Sequence, residues 1–400
     1  MEKLLIIGNG MASSRLLDEL VKRPPSRFAI TVVGAEPHAA YNRVLLSPML
    51  AGNIQWDDVR LKPEGWYAVN GVELEQNNPA VMLDPVAKAV KLADGRSLSY
   101  DKCVLATGSE PIRLPIPGAD LAGVTTFRTA ADCAEMTKVA SRGKPAVVIG
   151  GGLLGIEAAY GLARFGLEVT LIHIMDRLME RQLDAEAAAM LKTAVEAKGV
   201  RVLLDAQTAT IEGEGAVSAV TLKGGARIRC GLVVMAAGVR PETALARQAG
   251  LAVNRGVLID DAMAASAEGV YAIGECAEHR GRCYGLVEPA HEQARALAML
   301  LAGENASYEG SVLATNLKVS GVPVFSAGDF EGEGASSIVL RDKAMGVYRK
   351  LVVRDGKLAG AVLFGDTSDA LWYLDLIRSG AAIAPIRRDL AFGQAYAEAA

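Results

Sequence analysis

The sequence contains few aromatic residues, four histidines and five cysteines, and these shortages narrow the functions to consider. Aromatic residues make up 5% of the 400 residues, a level compatible with an α/β protein rich in Ala, Val, Leu and Gly. The cysteines form no Cys-x-x-Cys pair and the histidines are scattered, so the pattern predicts neither an iron–sulfur cluster nor a zinc site. An odd number of separated cysteines favours buried free thiols over a disulfide or a metal site.

The sequence also lacks a strong excess of charge and a long apolar run. Its formal net charge of -4 gives no reason to expect nucleic acid or an anionic membrane as a partner. No uncharged apolar run reaches the roughly 18 residues of a membrane helix. The apolar residues at the N-terminus are too few for a signal peptide. We therefore expect a cytoplasmic protein that does not bind a membrane.

A glycine-rich turn follows the first predicted strand, residues 4–7. The string GNGMAS at residues 8–13, ahead of a helix predicted at residues 15–23, is similar to the GxGxxG signature of dinucleotide sites. Gly8 permits the turn, and Gly10 lets the backbone approach a pyrophosphate seated on the first amides of the helix. Ser13 is small enough for the third position. A strand predicted at residues 28–33 delivers Glu36 just beyond its end. Glu36 is 23 residues after Ser13, close to the roughly 20 at which an acid is expected to meet a ribose hydroxyl.

The same design recurs in the middle of the chain. An apolar strand at residues 146–149 runs into GGGLLG at residues 150–155, and a helix is predicted at residues 156–165. This copy has all three glycines, but its next strand, residues 169–172, ends at His173 and not at an acid. An acid there would favour a free 2′-hydroxyl, whereas Arg177 nearby would favour a 2′-phosphate. The residues alone therefore leave the choice between NADH and NADPH open.

The two halves match beyond their glycines, which predicts the domain organisation. VLATGSEP at residues 104–111 is echoed by VMAAGVRP at residues 234–241, so Thr107-Gly108 and Gly238 occupy similar strand ends. We predict an α/β fold with two dinucleotide-binding domains, one inserted in the other. Residues 1–112 and 239–315 form the first domain and residues 113–238 the second. Alternating strands and a helix predict a third, α+β domain at residues 316–400.

The string GVYAIGECAEH at residues 269–279 predicts a buried strand that ends at Gly274-Glu275 and returns the chain to the first domain. Its Gly274-Glu275 pair would then place a carboxylate against a sugar or ribityl hydroxyl. The helix that opens around Pro289 would present amide hydrogens and a partial positive charge to an anionic group.

Several of these strings together resemble a known family. GNGMAS, the strand-end Thr107-Gly108, GGGLLG and YAIGEC at residues 271–276 are similar to flavoprotein reductases with two Rossmann-like domains of the glutathione-reductase type, related to rubredoxin and ferredoxin reductases. GAEPHAAYNRVLLS at residues 34–47, HIMDRLMERQLD at 173–184 and YRKLVVRDGKLAGAVLFGDT at 348–367 most resemble one branch. That branch is the FAD- and NADH-binding part of assimilatory NAD(P)H nitrite reductase and of nitrate reductase electron-transfer subunits.

The resemblance implies which residues hold each cofactor, and none is a catalytic acid or base because the chemistry takes place on the flavin. Glu36 would bind the adenosine ribose, Glu275 the ribityl chain, and Glu157 and Lys318 would lie near the flavin ring. The FAD-binding residues that it implies are Gly8, Gly10, Met11, Ala12, Ser13, Glu36, Arg43, Val81, Thr107, Gly108, Gly274, Glu275, Val287 and Lys318. Those implied for NAD(P)H are Gly150, Gly152, Leu153, Gly155, Glu157 and Gly238.

The function implied by the resemblance is transfer of hydride from NADH to FAD and of electrons onward to a partner protein, with NADPH as the alternative donor. The suggested partners are the catalytic subunit of a nitrate or nitrite reductase, a ferredoxin or a rubredoxin, and a homodimer stays open. The chain has no thiol cluster, so we do not expect it to reduce nitrite itself. YNRVLLSP at residues 41–48 has no redox-active cysteine. The alternatives are a rubredoxin or ferredoxin reductase, an NADH oxidase, and a non-catalytic flavin-binding structural or sensing subunit.

Overall fold

The computed structural model describes residues 1–23, 27–319 and 321–397, and for residues 316–319 it describes the backbone alone. The chain divides into two compact units. The first unit comprises Met1–Met49, Ile54–Pro111 and Val239–Ser311, and the second unit comprises Leu50–Asn53, Ile112–Gly238 and Val312–Ala400. Each unit is described by itself below.

The strands, in chain order, begin with those that precede the second glycine motif. They are β1 (Glu2–Ile7), β2 (Phe28–Val33), β3 (Val72–Glu75), β4 (Ala80–Asp84), β5 (Ala89–Leu92), β6 (Ser97–Ser99), β7 (Lys102–Leu105), β8 (Ser109–Pro111), β9 (Val124–Thr126) and β10 (Ala146–Ile149). The strands that follow the second glycine motif are β11 (Val169–Ile172), β12 (Val200–Leu203), β13 (Thr208–Glu214), β14 (Ala216–Leu222), β15 (Arg227–Arg229), β16 (Leu232–Met235), β17 (Val239–Pro241), β18 (Val257–Ile259), β19 (Val270–Ala272), β20 (Ala277–His279), β21 (Arg282–Cys283), β22 (Ala314–Val319), β23 (Val322–Gly328), β24 (Ser336–Asp342), β25 (Val347–Arg354) and β26 (Lys357–Phe364).

The α-helices are distributed along the whole chain. They are α1 (Met11–Val21), α2 (Leu46–Leu50), α3 (Trp56–Val59), α4 (Trp66–Val69), α5 (Ala130–Ala140), α6 (Leu153–Arg164), α7 (Ala185–Glu196), α8 (Ala244–Gln248), α9 (Val287–Leu301), α10 (Ala370–Ser379) and α11 (Gln394–Ala397). Among the described residues, no helix is both long and apolar enough to cross a membrane.

A parallel five-stranded sheet forms the centre of the first unit. Its strand order is β19-β7-β1-β2-β3. The four apolar residues that end β1 are nearly inaccessible to solvent, from 0% for Leu4 to 4% for Ile7, because the sheet is covered on both faces. Helices α1 and α9 pack against each other in this unit. The carboxyl ends of β1, β2, β7 and β19 therefore lie at one edge of the sheet.

The second unit repeats this arrangement, as the duplicated motifs predict. Its parallel sheet has the order β12-β11-β10-β16-β9, so β10 lies between the strand that follows it and the late strand β16. In the first unit β1 lies in the same way between β2 and β7. The predicted pair of dinucleotide-binding folds is therefore confirmed by strand order.

An antiparallel sheet with a helix follows in the last part of the second unit. Its strand order is β22-β23-β26-β25-β24, and α10 packs on β26 and β23 through the fully buried Tyr373. The Tyr348 hydroxyl donates a hydrogen bond of 2.6 Å to Asp184, the residue that caps the start of α7. The antiparallel strands and the helix predicted for this region are confirmed.

The structure differs from the sequence-based prediction in three places. Both motif helices begin earlier than predicted, at Met11 and at Leu153, because Gly10 and Gly152 are themselves the N-cap residues. The strand predicted to end at Gly274-Glu275 ends slightly earlier, at Ala272, and the positive φ of Gly274 starts the helical turn Gly274–Cys276. The antiparallel sheet β13-β14-β15 was not predicted.

Candidate functional site

The first glycine of the opening motif lies against the backbone at the end of β7, where the chain turns after β1. Gly8 has a φ of +109°, and a Cβ built on it would lie 2.1 Å from the carbonyl oxygen of Ala106. Its amide donates to the carbonyl oxygen of Val33, and the amide of Ala106 donates to that of Ile7, each at 2.8 Å. Only glycine fits here, since both the conformation and the space exclude a side chain.

The second glycine faces open space at the start of α1. A Cβ on Gly10 would meet no heavy atom within 4 Å. The first amides of an α-helix, here those of Met11, Ala12 and Ser13, have no partner within the helix and attract an anion. Ser13 is fully buried, and its hydroxyl donates to the carbonyl oxygen of Gly10 at 3.0 Å. The chain thus has an unfilled volume beside helix amides, which is what a pyrophosphate requires.

Two predicted FAD residues come together just beyond β2. Arg43 donates to Oε1 of Glu36 at 2.6 Å, and the Tyr41 hydroxyl donates to Oε2 at 2.7 Å. The Arg43 guanidinium also lies 5.3 Å from the centre of the Tyr41 ring. The Glu36 and Arg43 side chains remain 30% and 27% exposed. The carboxylate is therefore held in a fixed position with accessible surface left for a ribose hydroxyl.

The late return of the chain brings Gly274 against the start of α1. Gly274 has a φ of +80°, and a Cβ on it would lie 2.9 Å from the Cβ of Ala12. Its amide donates to the buried side-chain oxygen of Gln293 on α9 at 2.7 Å. The next residue, Glu275, accepts a hydrogen bond of 2.7 Å from the Ser109 hydroxyl. A carboxylate thus stands at the same sheet edge as the glycine turn.

The Thr107-Gly108 pair has a role that the sequence did not indicate. The Thr107 hydroxyl donates to the carbonyl oxygen of Glu242 at 2.8 Å, and the Glu242 amide donates to the carbonyl oxygen of Gly108 at 2.9 Å. Two hydrogen bonds therefore join the chain that follows β7 to the segment around Glu242. Contact of Thr107 and Gly108 with FAD stays a prediction.

The remaining implied FAD residues lie on other elements of the structure. Val81 is 45% exposed on β4, which belongs to a separate antiparallel sheet, β4-β5-β6. Val287 is the first residue of α9. Lys318 lies on β22, and its side chain is outside the described residues. Their contacts with FAD stay predictions.

The second glycine motif repeats the geometry of the first. Gly150 has a φ of +127°, and a Cβ on it would lie 2.2 Å from the carbonyl oxygen of Ala236. Gly152 caps α6, and a Cβ on it would meet nothing within 4 Å. Gly155 packs so closely that a Cβ would lie 1.9 Å from the carbonyl oxygen of Gly150. Leu153 then opens α6 with amides that face the same open space.

Two further residues implied for NAD(P)H flank this turn. Glu157 lies in the second turn of α6 and is half-buried. Gly238 follows β16 with a φ of +107°, and its carbonyl oxygen accepts from the amide of Ile112 at 3.0 Å. Their contacts with the nucleotide stay predictions.

A contact network at the end of β11 has no signal in the sequence. His173 is buried, and its Nδ1 accepts a hydrogen bond of 3.0 Å from the amide of Gly151. Its Nε2 lies 3.0 Å from Oε2 of Glu180. Arg177 donates to Glu331 at 2.9 Å. An acid thus reaches the end of β11 from seven residues further along the chain, and no periodic signal in the sequence marks it.

The cysteines are free, as their spacing predicts, and four of the five are buried. Cys283 is half-buried. Burial raises the pKa of Cys133 and of Cys230 to about 11 and also raises the pKa of Cys103 and Cys276, so these groups are thiols at neutral pH. In the part of the chain that the structure describes, no three His, Cys, Asp or Glu side chains come together as a metal site requires.

Two family profiles match the chain and together span most of it. The profile described as pyridine nucleotide-disulphide oxidoreductase matches residues 2–294, and the one described as rubredoxin NAD+ reductase C-terminal domain matches residues 314–381. Both glycine motifs and the return through Gly274 lie within the first match.

Known proteins resemble the chain over nearly its whole length. It is 46% identical to a nitrite reductase [NAD(P)H] of Bacillus subtilis, over 96% of the chain and 48% of that protein. It is 44% identical to an assimilatory nitrate reductase electron transfer subunit of the same organism, over 94% of the chain and 49% of that protein. The chain thus spans about half the length of these relatives. The crystal structure of NADH:rubredoxin oxidoreductase from Clostridium acetobutylicum superposes with a TM-score of 0.79 at 28% identity and covers 98% of each chain.

Proposed function

The chain belongs to the pyridine nucleotide-disulphide oxidoreductase family, and from that premise we propose that it is an FAD-dependent reductase that oxidises NADH and passes the electrons to a partner protein. The observation that carries the proposal is the pair of equivalent glycine turns. Each unit has one turn, and each turn opens a helix whose first amides face unfilled space. Two dinucleotides are what a reductase of this family brings together.

The first unit has the features that FAD requires. Gly10 and the amides of Met11 and Ala12 would hold the pyrophosphate, Glu36 the adenosine ribose, and Glu275 the ribityl chain. When bound, FAD supplies the chemistry that joins a two-electron hydride donor to a one-electron acceptor.

The second unit has the features that a nicotinamide nucleotide requires. Gly152 and the amide of Leu153 would hold its pyrophosphate, and Gly155 lets α6 approach the turn closely enough to form the seat. This second site favours an enzyme over a non-catalytic flavin-binding subunit, because a structural or sensing subunit has no use for a second dinucleotide.

The start of α9 would stabilise negative charge on a group bound in the first unit. The Cβ position of Gly274 lies 3.8 Å from Ala290 in the first turn of α9, and Gln293 one turn later binds the amide of Gly274. A helix N-terminus carries about half a positive charge. Hydride transfer needs no acid or base, so the residues of the chain bind, orient and stabilise charge.

The two Bacillus subtilis relatives support a partner in nitrate or nitrite assimilation. By name, one reduces nitrite with NAD(P)H and the other transfers electrons for assimilatory nitrate reductase. We therefore place the catalytic subunit of such a reductase first among acceptors, before a ferredoxin or a rubredoxin. We also propose that the protein acts in the cytoplasm, and its free cysteines support a reducing compartment. A homodimer is compatible with the proposal but is not required by it.

Anaerobic mixing of the FAD-loaded protein with NADH tests the proposal. Rapid loss of the oxidised flavin absorbance is expected, followed by its recovery when the protein acceptor is added. A flavin that stays oxidised with excess NADH and NADPH would favour the non-catalytic subunit. NADH consumption with oxygen alone at the rate seen with a protein acceptor would favour the oxidase.

A further inference from the structure

The strand that should present an acid to the nucleotide ends in a histidine. In dinucleotide-binding folds an acid after the second strand binds the adenosine ribose and selects a free 2′-hydroxyl. Here β11 ends at Ile172, and His173 follows. The His173 ring packs against the glycine loop so closely that a Cβ on Gly151 would lie 2.5 Å from it. His173 is therefore part of the wall of the glycine turn, not a group that contacts a ribose in place of an acid.

The hydrogen bonds of His173 fix which of its nitrogens carries a proton. Its Nδ1 accepts from the amide of Gly151, so the proton of the neutral ring is on Nε2. That nitrogen then donates to Oε2 of Glu180 at 3.0 Å. The other carboxylate oxygen, Oε1, lies 4.0 Å from Arg181, whose side chain is 86% exposed. Glu180 is thus held through one oxygen, and its side chain stays 23% exposed.

The segment between the two residues is folded back onto the same glycine. The amide of Met179 donates to the carbonyl oxygen of Gly151 at 3.0 Å, so both backbone polar groups of Gly151 bind this segment. Met179 has a φ of +51° and is 1% exposed, which anchors the fold-back in the interior. Glu180 is the next residue. The backbone therefore delivers its carboxylate to the end of β11 beside the glycine turn.

The cation that would favour a 2′-phosphate is engaged elsewhere. Arg177 donates to Glu331 at 2.9 Å and also lies 3.7 Å from Asp176. Its charge is balanced by these carboxylates within the second unit. The same segment thus presents a negative group at the strand end, while the charge of Arg177 is engaged by other carboxylates.

We propose that Glu180, positioned by His173, is the carboxylate that binds the adenosine ribose of the nicotinamide nucleotide and makes the enzyme select NADH over NADPH. Hydrogen bonds from ribose hydroxyls to Glu180 stabilise bound NADH. A 2′-phosphate at the same place would meet a carboxylate of like charge. The proposal rests on the proposed function, because it assigns a residue of the same nucleotide site.

The test measures binding of NAD+ and of NADP+ to the FAD-loaded protein by isothermal titration calorimetry. Glu180→Gln keeps the size of the side chain and removes its charge, and it is expected to lower the ratio of NAD+ to NADP+ affinity by about tenfold or more. Glu180→Asp is a second variant that keeps the charge. It should weaken NAD+ binding while NADP+ stays excluded. Glu168→Gln, an exposed acid at the opposite end of β11, is the matched control and should change neither affinity.

Two measurements test whether His173 acts as a positioning residue. They are the ratio of NAD+ to NADP+ affinity and the limiting rate of flavin reduction. His173→Ala should reduce the affinity ratio as Glu180→Gln does, while the limiting rate of flavin reduction at saturating NADH stays within about twofold. His173→Gln, whose amide donates to Glu180 as Nε2 does, should restore part of the ratio.

The outcomes separate the two proposals. If neither nucleotide reduces the flavin of the unaltered protein, the proposed function fails. If NADH reduces the flavin but Glu180→Gln leaves the affinity ratio unchanged, only the assignment of Glu180 is overturned. A preference of the unaltered protein for NADPH would also overturn it.

Discussion

A Cβ on Gly155 would lie 1.9 Å from the carbonyl oxygen of Gly150, so helix α6 touches the turn that precedes it. At the corresponding place in the first unit stands Ser13, fully buried, with its hydroxyl on the carbonyl oxygen of Gly10. The two glycine motifs therefore differ in how closely the helix approaches its turn, although their strand orders agree.

Gly155→Ala is expected to destabilise the protein and weaken NAD+ binding. Alanine is better than glycine in a helix by about 1 kcal/mol, but the contact is with backbone, which cannot move aside, and overpacking costs about 1–3 kcal/mol. We expect the cost of the clash to exceed the gain in helix propensity. Denaturant unfolding should therefore show a lower stability, and NAD+ titration a lower affinity. Ser13→Ala is the control and should cost only its one hydrogen bond, about 1 kcal/mol. Equal stability of the Gly155→Ala variant and the unaltered protein would contradict the packing argument.

Gly152→Val is expected to weaken binding of the nicotinamide nucleotide strongly without disturbing the fold. Its Cβ would meet no heavy atom of the protein within 4 Å, so the added side chain would occupy the space reserved for the pyrophosphate. NAD+ affinity should fall by roughly a hundredfold while FAD stays bound. Calorimetry with NAD+ and the flavin absorbance of the purified variant measure the two effects. Gly10→Val is the reciprocal variant and should lose FAD. Normal flavin reduction by NADH in the Gly152→Val variant would refute the proposed nucleotide site at Gly152.

Releasing Arg177 is expected to admit NADP+. Glu331→Gln removes the carboxylate that accepts from Arg177, so the guanidinium becomes available to a 2′-phosphate. NADP+ binding should tighten by roughly two- to fivefold, the size of a partly exposed ion pair, and NAD+ binding should stay the same. Glu333→Gln makes the same change at an exposed position two residues away and serves as the control. An unchanged NADP+ affinity would show that Arg177 does not reach the ribose.

Glu278 is expected to make the stability of the first unit depend on pH in the acidic range. Burial alone would raise its pKa, but the amides of Gly256 and Arg255 and the side chain of Asn254, each donating at 2.9 Å, hold the pKa below its ordinary value. The folded state therefore gains stability above about pH 4.3, the usual value for glutamate, and loses it as the pH falls through the lower folded pKa.

Glu278→Gln tests this dependence. The NH₂ group of the glutamine would face N–H groups that now donate to the carboxylate. About 2 kcal/mol of stability should therefore be lost at pH 7. The difference from the unaltered protein should shrink as the pH falls below about 4, as measured by urea unfolding across pH. Glu268→Gln, at a side chain that is 95% exposed, is the control. A difference that stays constant with pH would show that the charge of Glu278 is not involved.

Local features of the sequence predicted the scaffold of both sites. An apolar run followed directly by glycine specifies a strand, a turn and a helix within a few residues, so Gly8, Gly10, Gly150 and Gly152 could be placed before their neighbours were known. Their spacing also predicted that the motif occurs twice. The strand bounds Phe28–Val33 and Val169–Ile172 agree with the prediction for the same reason.

Contacts between distant segments could not be predicted in this way. The bond between Thr107 and the carbonyl of Glu242 joins residues that are 135 positions apart, and no pattern in either segment announces it. The approach of Glu180 to His173 depends on the positive φ of Met179, a conformation that a methionine rarely adopts. Sequence periodicity therefore located the nucleotide turns but not the acid beside the second one.

The order of strands in the two parallel sheets also bears on how the chain folds during synthesis. All the strands of the second sheet lie between β9, which begins at Val124, and β16, which ends at Met235. The first sheet needs β19, Val270–Ala272, to cover the outer side of β7. During synthesis on the ribosome, all strands of the second sheet are therefore available before the first sheet is complete. Until β19 has been synthesised, the outer edge of β7 has no strand paired with it.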